Sequence, residues 1–347
     1  MSEENNNITE ISELGEFGLI KHLTKNIELK NESTIYGVGD DAAVLDYKGK
    51  QMVITTDLLT KGVHFDLMYN PLKHLGYKAA VVNFSDVYAM NAIPKQMTVS
   101  LAISRKFSLK AIDELYDGLK MACEKYGVDL VGGDTSSSVT GMTISVTVVG
   151  EADKEKLVYR NGAKQNDLIC VSGDLGSAYL GLLLLKREQE VFKTNPNMQP
   201  QLQGYDYILE RFLKPEARKD MVEFFASKSI LPTSMIDISD GLSSEILHIC
   251  EQSETGCRIY EEKIPIDLVA TKMADEFNII PSVAALNGGE DYELLFTVSM
   301  KDYEAIKENP AISVIGHITP AENGRQLITN ADQAVEIKAQ GWNGMEG

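Results

Sequence analysis

Apolar residues recur at helical spacing at Ile11, Leu14, Phe17, Ile20 and Leu23, which predicts an amphipathic first helix. Short strands are expected at 34–38 and 51–55. Residues 73–91 have the length of a helix but are apolar on most sides (Ala79, Ala80, Val81, Val82, Phe84, Val87, Met90), so this helix should be buried. A strand at 96–103, a surface helix at 108–126 and a three-residue strand at 129–131 follow. Met142, Ile144, Val146 and Val148 alternate with small polar or β-branched residues, as in a half-buried strand. Around 151–166 the chain turns charged and loop-like, which sets a domain boundary there. Beyond it come a strand at 168–171, the Gly173–Gly176 turn, a helix from Ser177 to about Arg187, and a polar stretch at 189–203. That stretch holds Pro196 and Pro200 and reads as an exposed insertion. The alternation of helix and strand continues to Ile318, giving an α/β class in both halves, with domains at 1–150 and 151–347.

A length of 347 residues suits two cores better than one. No run approaches the roughly 18 uncharged apolar residues of a membrane span. The polar, acidic start is not that of a signal peptide, so a cytoplasmic enzyme is expected. The cysteines at 123, 170, 250 and 257 form no C-x-x-C pair and read as buried free thiols. A formal charge of −18 argues against a nucleic-acid backbone as partner. It also makes binding of a phosphate ester difficult unless cations intervene, because anion would meet anion.

The placement of the acids changes the picture. Gly37-Val38-Gly39-Asp40-Asp41 is a glycine turn with adjacent carboxylates, and Thr55-Thr56-Asp57 sets hydroxyls beside a carboxylate at an expected strand end. These are hard oxygen ligands of the kind Mg²⁺ prefers. Asp86 falls inside the apolar helix, where a lone charge is costly, so it should be metal-bound or paired with a lysine. Gly132-Gly133-Asp134-Thr135 follows an apolar strand, and Asp237-Ile238-Ser239-Asp240-Gly241 lies between a strand and a helix, where Ser239 or Asp240 could equally cap the helix. Each is explicable alone. Four of five beside strand ends, where α/β proteins bind ligands, point to a metal-assisted site. There is no G-x-x-x-x-G-K-[ST] loop, no G-x-G-x-x-G and no protein-kinase motif set, so bound phosphates would be carried mainly through metals.

Taken in order with Gly62-Val63-His64-Phe65, Asn83-Phe84-Ser85-Asp86 and Gly288-Gly289-Glu290-Asp291-Tyr292-Glu293-Leu294, these segments resemble the thiamine-monophosphate kinase family from about Gly15 to Ile318. The resemblance implies an aminoimidazole-ribonucleotide synthetase-like fold: an N-terminal domain whose sheet forms a homodimer interface, and a C-terminal domain closing over the ligands. It implies ATP-dependent phosphorylation of thiamine monophosphate to thiamine diphosphate with several Mg²⁺. The implied metal ligands are Asp41, Thr55, Thr56, Asp57, Asp86, Asp134, Asp237 and Asp240. Tyr116, Gly133, Asp134, Arg160 and Ser239 would meet ATP; His64, Glu290 and Trp342 would meet the substrate. His64 could also be an ordinary loop histidine, and Glu290 could cap a turn. No nucleophile or base is expected, since a phosphate monoester oxygen is already ionised. A selenophosphate synthetase would need a reactive cysteine near the N-terminus, and the first here is Cys123. The rival of another class is a non-catalytic binder of metal or thiamine phosphate.

Overall fold

The computed structural model describes residues 34–36, 39–47 and 49–339. The expected first helix, the Gly37-Val38 pair and Trp342 lie outside them. Two sheets organise the chain. The first has the order β1-β2-β3-β6-β4-β5, from β1 (Thr34–Tyr36), β2 (Ala43–Tyr47), β3 (Lys50–Thr60), β4 (Ile93–Ser104), β5 (Asp129–Ser138) and β6 (Met142–Ala152). Only β4 and β5 run parallel; the other neighbours are antiparallel.

One face of this sheet is covered by α1 (Leu72–Ala89) and α2 (Leu109–Tyr126). The alternation in β6 works as expected: Met142, Ile144, Val146 and Val148 are buried against the helices, while Thr143, Ser145 and Thr147 face outward. Helix α1 is buried on nearly every side because it lies between the sheet, α2 and the second half of the chain. Its approach to α2 is backbone to backbone. A Cβ on Gly76 would stand 1.9 Å from the Leu115 carbonyl oxygen, and one on Gly118 the same distance from that of Lys73.

Two strands are longer than their sequence patterns. β3 continues through Thr60 and β5 through Ser138, so Thr55-Thr56-Asp57 and Gly132-Gly133-Asp134-Thr135 lie inside strands rather than after them. The ladder explains this: β6 offers a partner to every residue of β3 from Gln51 to Thr60, and β4 does so for β5 from Gly132 to Ser138. Pairing outweighs the low intrinsic strand preference of Gly and Asp.

The second sheet has the order β13-β12-β9-β11-β7-β10-β8, from β7 (Leu168–Ser172), β8 (Ser234–Asp237), β9 (Gly256–Tyr260), β10 (Leu294–Val298), β11 (Ile312–Thr319), β12 (Arg325–Ile328) and β13 (Ala334–Glu336). Its central strands are buried on both faces, so they read as apolar runs without alternation. Ile169 and Val171 pack toward α6 (Leu242–Gln252) and α8 (Pro281–Asn287). Leu168 and Cys170 pack toward α5 (Lys219–Lys228) and α9 (Tyr303–Ile306). Helices α3 (Ser177–Thr194), α4 (Asp206–Leu213) and α7 (Leu268–Glu276) complete this half. α3 outruns its expected end because Arg187, Glu188, Gln189 and Glu190 are good helix formers and Pro196 is the first breaker. All four cysteines are free and buried. No helix among the described residues is long and apolar enough to cross a membrane.

Candidate active site

The halves meet through polar contacts at the buried end of α1. Ser85 donates to Asp237 Oδ2 at 2.6 Å, and the Thr55 hydroxyl donates to Asp86 Oδ2 at 2.6 Å. One carboxylate oxygen each from Asp41, Asp86 and Asp237 lies within 4.8 Å of the others. They come from the loop after β1, from α1 and from the end of β8, so this cluster is a product of tertiary folding. Burial holds the Asp86 carboxyl well above the usual range, and the charges of Asp57, Asp237 and Asp41 push it the same way. Asp237 is raised by burial and then by Asp41. Asp57 is raised by burial to about 6. Asp40, raised to about 7 by burial and then by Asp41, accepts the Arg160 backbone N–H at 3.0 Å. The Arg160 guanidinium makes a two-pronged pair with Asp41, at 3.0 and 2.8 Å.

A cavity of about 140 Å³ opens beside this cluster, lined by Asp57, Leu58, Leu59, His64, Lys78, Val82, Asp86, Asp237, Ser239, Glu290 and Tyr292. A larger cleft of about 460 Å³ lies between α2 and 216–220. There Arg211 and Arg218 are already bound to the buried Glu293, so its charges are spent on each other. The smaller cavity has the unbalanced acids. Its wall at 289–293 is zipped to 238–239: Glu290 N–H donates to Ser239 O at 2.6 Å and Tyr292 N–H to Ile238 O at 2.9 Å. Glu290 and Tyr292 sit at φ +58° and +53°, left-handed conformations that cost about 1 kcal/mol or more each. A Cβ at Gly289 would lie 2.4 Å from Ser239 O, which excludes any other residue there.

The anticipated residues divide into groups. Asp41, Thr55, Asp57, Asp86, Asp237, Ser239, His64 and Glu290 gather at the cluster and cavity, with Arg160 attached through Asp41. His64 Nδ1 accepts the Thr60 N–H at 3.1 Å, which puts the proton of the neutral ring on Nε2. Asp240 stands at the entry to α6. No side-chain hydrogen bond caps that helix, and Glu245 instead takes the Asp240 N–H at 2.9 Å. Thr56 is on the opposite face of the sheet, its hydroxyl on Val146 O and Thr147. Asp134 shares that outer face through the row Leu58–Ser145–Ser100–Asp134, three strands and about 14 Å from Leu58. Gly133 is its neighbour on the exposed β5, and Tyr116 lies on α2 at the margin of the first core. Sequence reasoning assigned no role to Lys78 or Ser85. The usable signal for Lys78 was a cation spaced by four residues from Val82 and by eight from Asp86, on one face of an otherwise apolar helix.

Residues 39–152 match the family model described as AIR synthase related protein, N-terminal domain. The chain is 34% identical over 337 residues to the thiamine-monophosphate kinase of Bacillus subtilis, covering 95% of this chain and 99% of the relative. It is 37% identical to that of Aquifex aeolicus, covering 83% and 87%. Among solved structures, AaThiL complexed with AMPPCP and TMP superposes with a TM-score of 0.81 at 32% identity, covering 97% of this chain and 99% of that one. The hydrogenase maturation protein HypE in complex with ATP, at 19% identity, TM-score 0.68 and coverage of 93% and 95%, shares the fold. With an acid cluster and a cavity beside it where its halves meet, and identity of this level over nearly its whole length, the chain belongs to the thiamine-monophosphate kinase family.

Proposed function

We propose that this chain transfers the γ-phosphoryl group of ATP to thiamine monophosphate, giving thiamine diphosphate and ADP in the last step of thiamine diphosphate biosynthesis. The observation that carries the reading is the coincidence of acid cluster and cavity in a chain that superposes on a relative complexed with AMPPCP and TMP. The donor set fits Mg²⁺: it is all oxygen and gathered within 4.8 Å, and burial, then the neighbouring carboxylates, hold Asp86 and Asp237 above their normal range. Asp41, Asp86 and Asp237 would hold the ion, with Asp57 and Thr55 beside them and Asp240 at the rim. When bound, Mg²⁺ supplies charge cancellation between two phosphate groups.

The chain's own groups do the rest. Ser85 and Thr55 orient carboxylate oxygens by donating to them, and this leaves the remaining lone pairs directed at the cluster. Arg160 neutralises Asp41 and sits where it can exchange that partner for a nucleotide phosphate. Glu290 and His64 line the cavity for the organic part of the acceptor. No side chain is needed to take a proton, because the attacking phosphate oxygen is ionised near neutral pH.

The outer face of the first sheet, small, hydroxylic and carrying exposed Leu58 and Val131, is the surface we assign to a homodimer. Residues 1–150 would then serve metal, nucleotide and dimer, and 151–347 would close over the ligands. Four buried thiols support a reducing, cytoplasmic setting. The test is direct: incubate the protein with Mg²⁺, ATP and thiamine monophosphate, and follow thiamine diphosphate by chromatography. Metal-dependent product is expected; binding of both ligands without product would favour a non-catalytic binder. Asp86→Asn should lower turnover by about 10²-fold or more while changing thiamine-phosphate binding less.

A further inference from the structure

Lys78 is a buried cation at the substrate cavity that neither the metal cluster nor the core requires. Its side chain is 3% exposed and its Nζ lies 3.0 Å from Glu290 Oε1, on a side chain 29% exposed. The ammonium sits 4.1 Å over the Phe212 ring. Despite the ion pair, Nζ has no aligned hydrogen bond to any described residue. An ammonium carries three N–H donors, and buried donors are normally met. Lys78 and its partner Glu290 both line the cavity, so a ligand entering beside Glu290 comes within reach of this buried ammonium.

Position along α1 decides which part of a ligand it could meet. Lys78, Val82 and Asp86 lie on one helical face, all three lining the cavity. Two turns separate Lys78 from Asp86, about 12 Å along the axis. Phosphate chemistry belongs to the Asp86 end, so Lys78 is too remote to act on the transferred group. Between the ends the lining is apolar, with Val82 and Leu59. The far end therefore faces the ring system of the acceptor.

We propose that Lys78 and Glu290 form a donor–acceptor pair that reads the aminopyrimidine edge of the substrate, which makes Lys78 a specificity-determining residue. The inference rests on the functional reading above. A 4-aminopyrimidine presents an exocyclic amine that donates, beside a ring nitrogen that accepts, one ring carbon apart. Lys78 supplies the donor and Glu290 the acceptor, 3.0 Å from one another. Both are held in place: Lys78 by burial against Phe212, and Glu290 by its backbone bond to Ser239 O. An analogue with a carbonyl oxygen in place of the amine, in its lactam form, reverses both bonds at once. A site built this way rejects such an analogue far more strongly than one relying on ring packing.

The experiment compares thiamine monophosphate with its 4-oxo analogue, oxythiamine monophosphate. It measures kcat and KM at saturating Mg²⁺ and ATP for the wild type, Lys78→Met and Lys78→Gln, with ATP binding by calorimetry to show that each variant is folded. The wild type should prefer the amino compound by about 10³-fold or more in kcat/KM. In Lys78→Met that preference should fall below about 10-fold, through a KM for thiamine monophosphate raised some 30-fold with kcat within about 3-fold of wild type. Lys78→Gln, which keeps an N–H donor, should fall between. A Lys78→Met enzyme with preference and KM intact would overturn the inference, as would equal losses of kcat on both compounds, the signature of a structural or charge-balancing lysine. Should Lys78→Met fail to bind ATP, Lys78→Gln carries the test with the same criteria. Absence of any wild-type turnover of thiamine monophosphate would remove the functional reading, and the inference with it.

Discussion

Asp237 shows at the scale of one residue how function is stored as instability. Its carboxyl is buried, raised, and faces Asp41 and Asp86, so without a cation the cluster repels itself. Asp237→Asn keeps an acceptor for Ser85 and removes one charge. It should raise the thermal midpoint of the metal-free protein by a few degrees, about 1–2 kcal/mol. It should also abolish most of the stabilisation that Mg²⁺ gives the wild type and cut turnover at least about 10²-fold. Melting curves with and without Mg²⁺, together with the product assay, check all three. Asp291, in the facing stretch 289–293, is the structural counterpart. It accepts the Gly176 and Ala178 N–H groups at the start of α3, and burial raises its carboxyl to about 7 despite the opposing pull of Arg211. A raised acid binds its proton more tightly in the native state. Its contribution is therefore full below the unfolded value near 3.8 and is lost as pH rises through about 7. Asp291→Asn should flatten the decline in melting temperature between pH 5 and 8; an unchanged slope would show that other groups govern it.

At the scale of elements, the α1–α2 crossing sets what the site can tolerate. With Gly76 and Gly118 each against a carbonyl of the other helix, any Cβ forces the helices apart. Gly76→Ala should cost about 3 kcal/mol or more, read from denaturant midpoints, although alanine is the better helix former. Because α1 carries Lys78, Ser85 and Asp86, the same change should weaken Mg²⁺-dependent stabilisation. A variant as stable as wild type would mean that the helices can separate without cost. The long α3 has a contact of its own: Gln189 Nε2 donates to Asp66 Oδ2 at 2.9 Å, tying the polar stretch at 189–203 to the loop that holds His64. That stretch was expected to be an exposed insertion, and most of 195–203 is exposed, but its first turns continue the helix.

For the whole molecule the issue is how two sheets act as one. Glu216, from the second half, takes the hydroxyls of Tyr77 and Tyr126 at 2.7 and 2.6 Å and pairs with Lys125 at 2.7 Å. These partners hold its carboxyl below the usual range although burial opposes them. Tyr292, from the loop before β10, is counted in the core of the first half. Glu216→Ala removes the acceptor of the Tyr77 hydroxyl and leaves that of Tyr126 only the longer bond to Ala217 O at 3.3 Å, and should cost about 2–3 kcal/mol. It should broaden or split the calorimetric unfolding transition, as expected when halves lose their coupling. A single sharp transition at the wild-type midpoint would show that apolar contacts alone hold them together.

How much of this was legible in the sequence follows from the range of the forces involved. Alternation in 142–148 and the apolar helix around 79–90 are local patterns, and burial along a strand or helix obeys them. The acids in glycine turns, and their order along the chain, identified the family and most of the residues at the cavity. Strand ends were misjudged at β3 and β5, because a ladder to a distant strand decides them. The separation of Thr55 and Asp57 from Thr56 also needed the strand: once 55–57 lie within β3, alternate residues must face opposite sides. By itself, then, the sequence determined the element types, the α/β class and the inventory of hard oxygen ligands, since each depends on neighbours a few residues away. Only the tertiary structure decided that Asp41, Asp86 and Asp237 share one point, that Arg160 answers Asp41, and that Lys78 meets Glu290. Those contacts join residues tens to hundreds of positions apart, and their charges interact strongly because folding removes the water that would otherwise screen them.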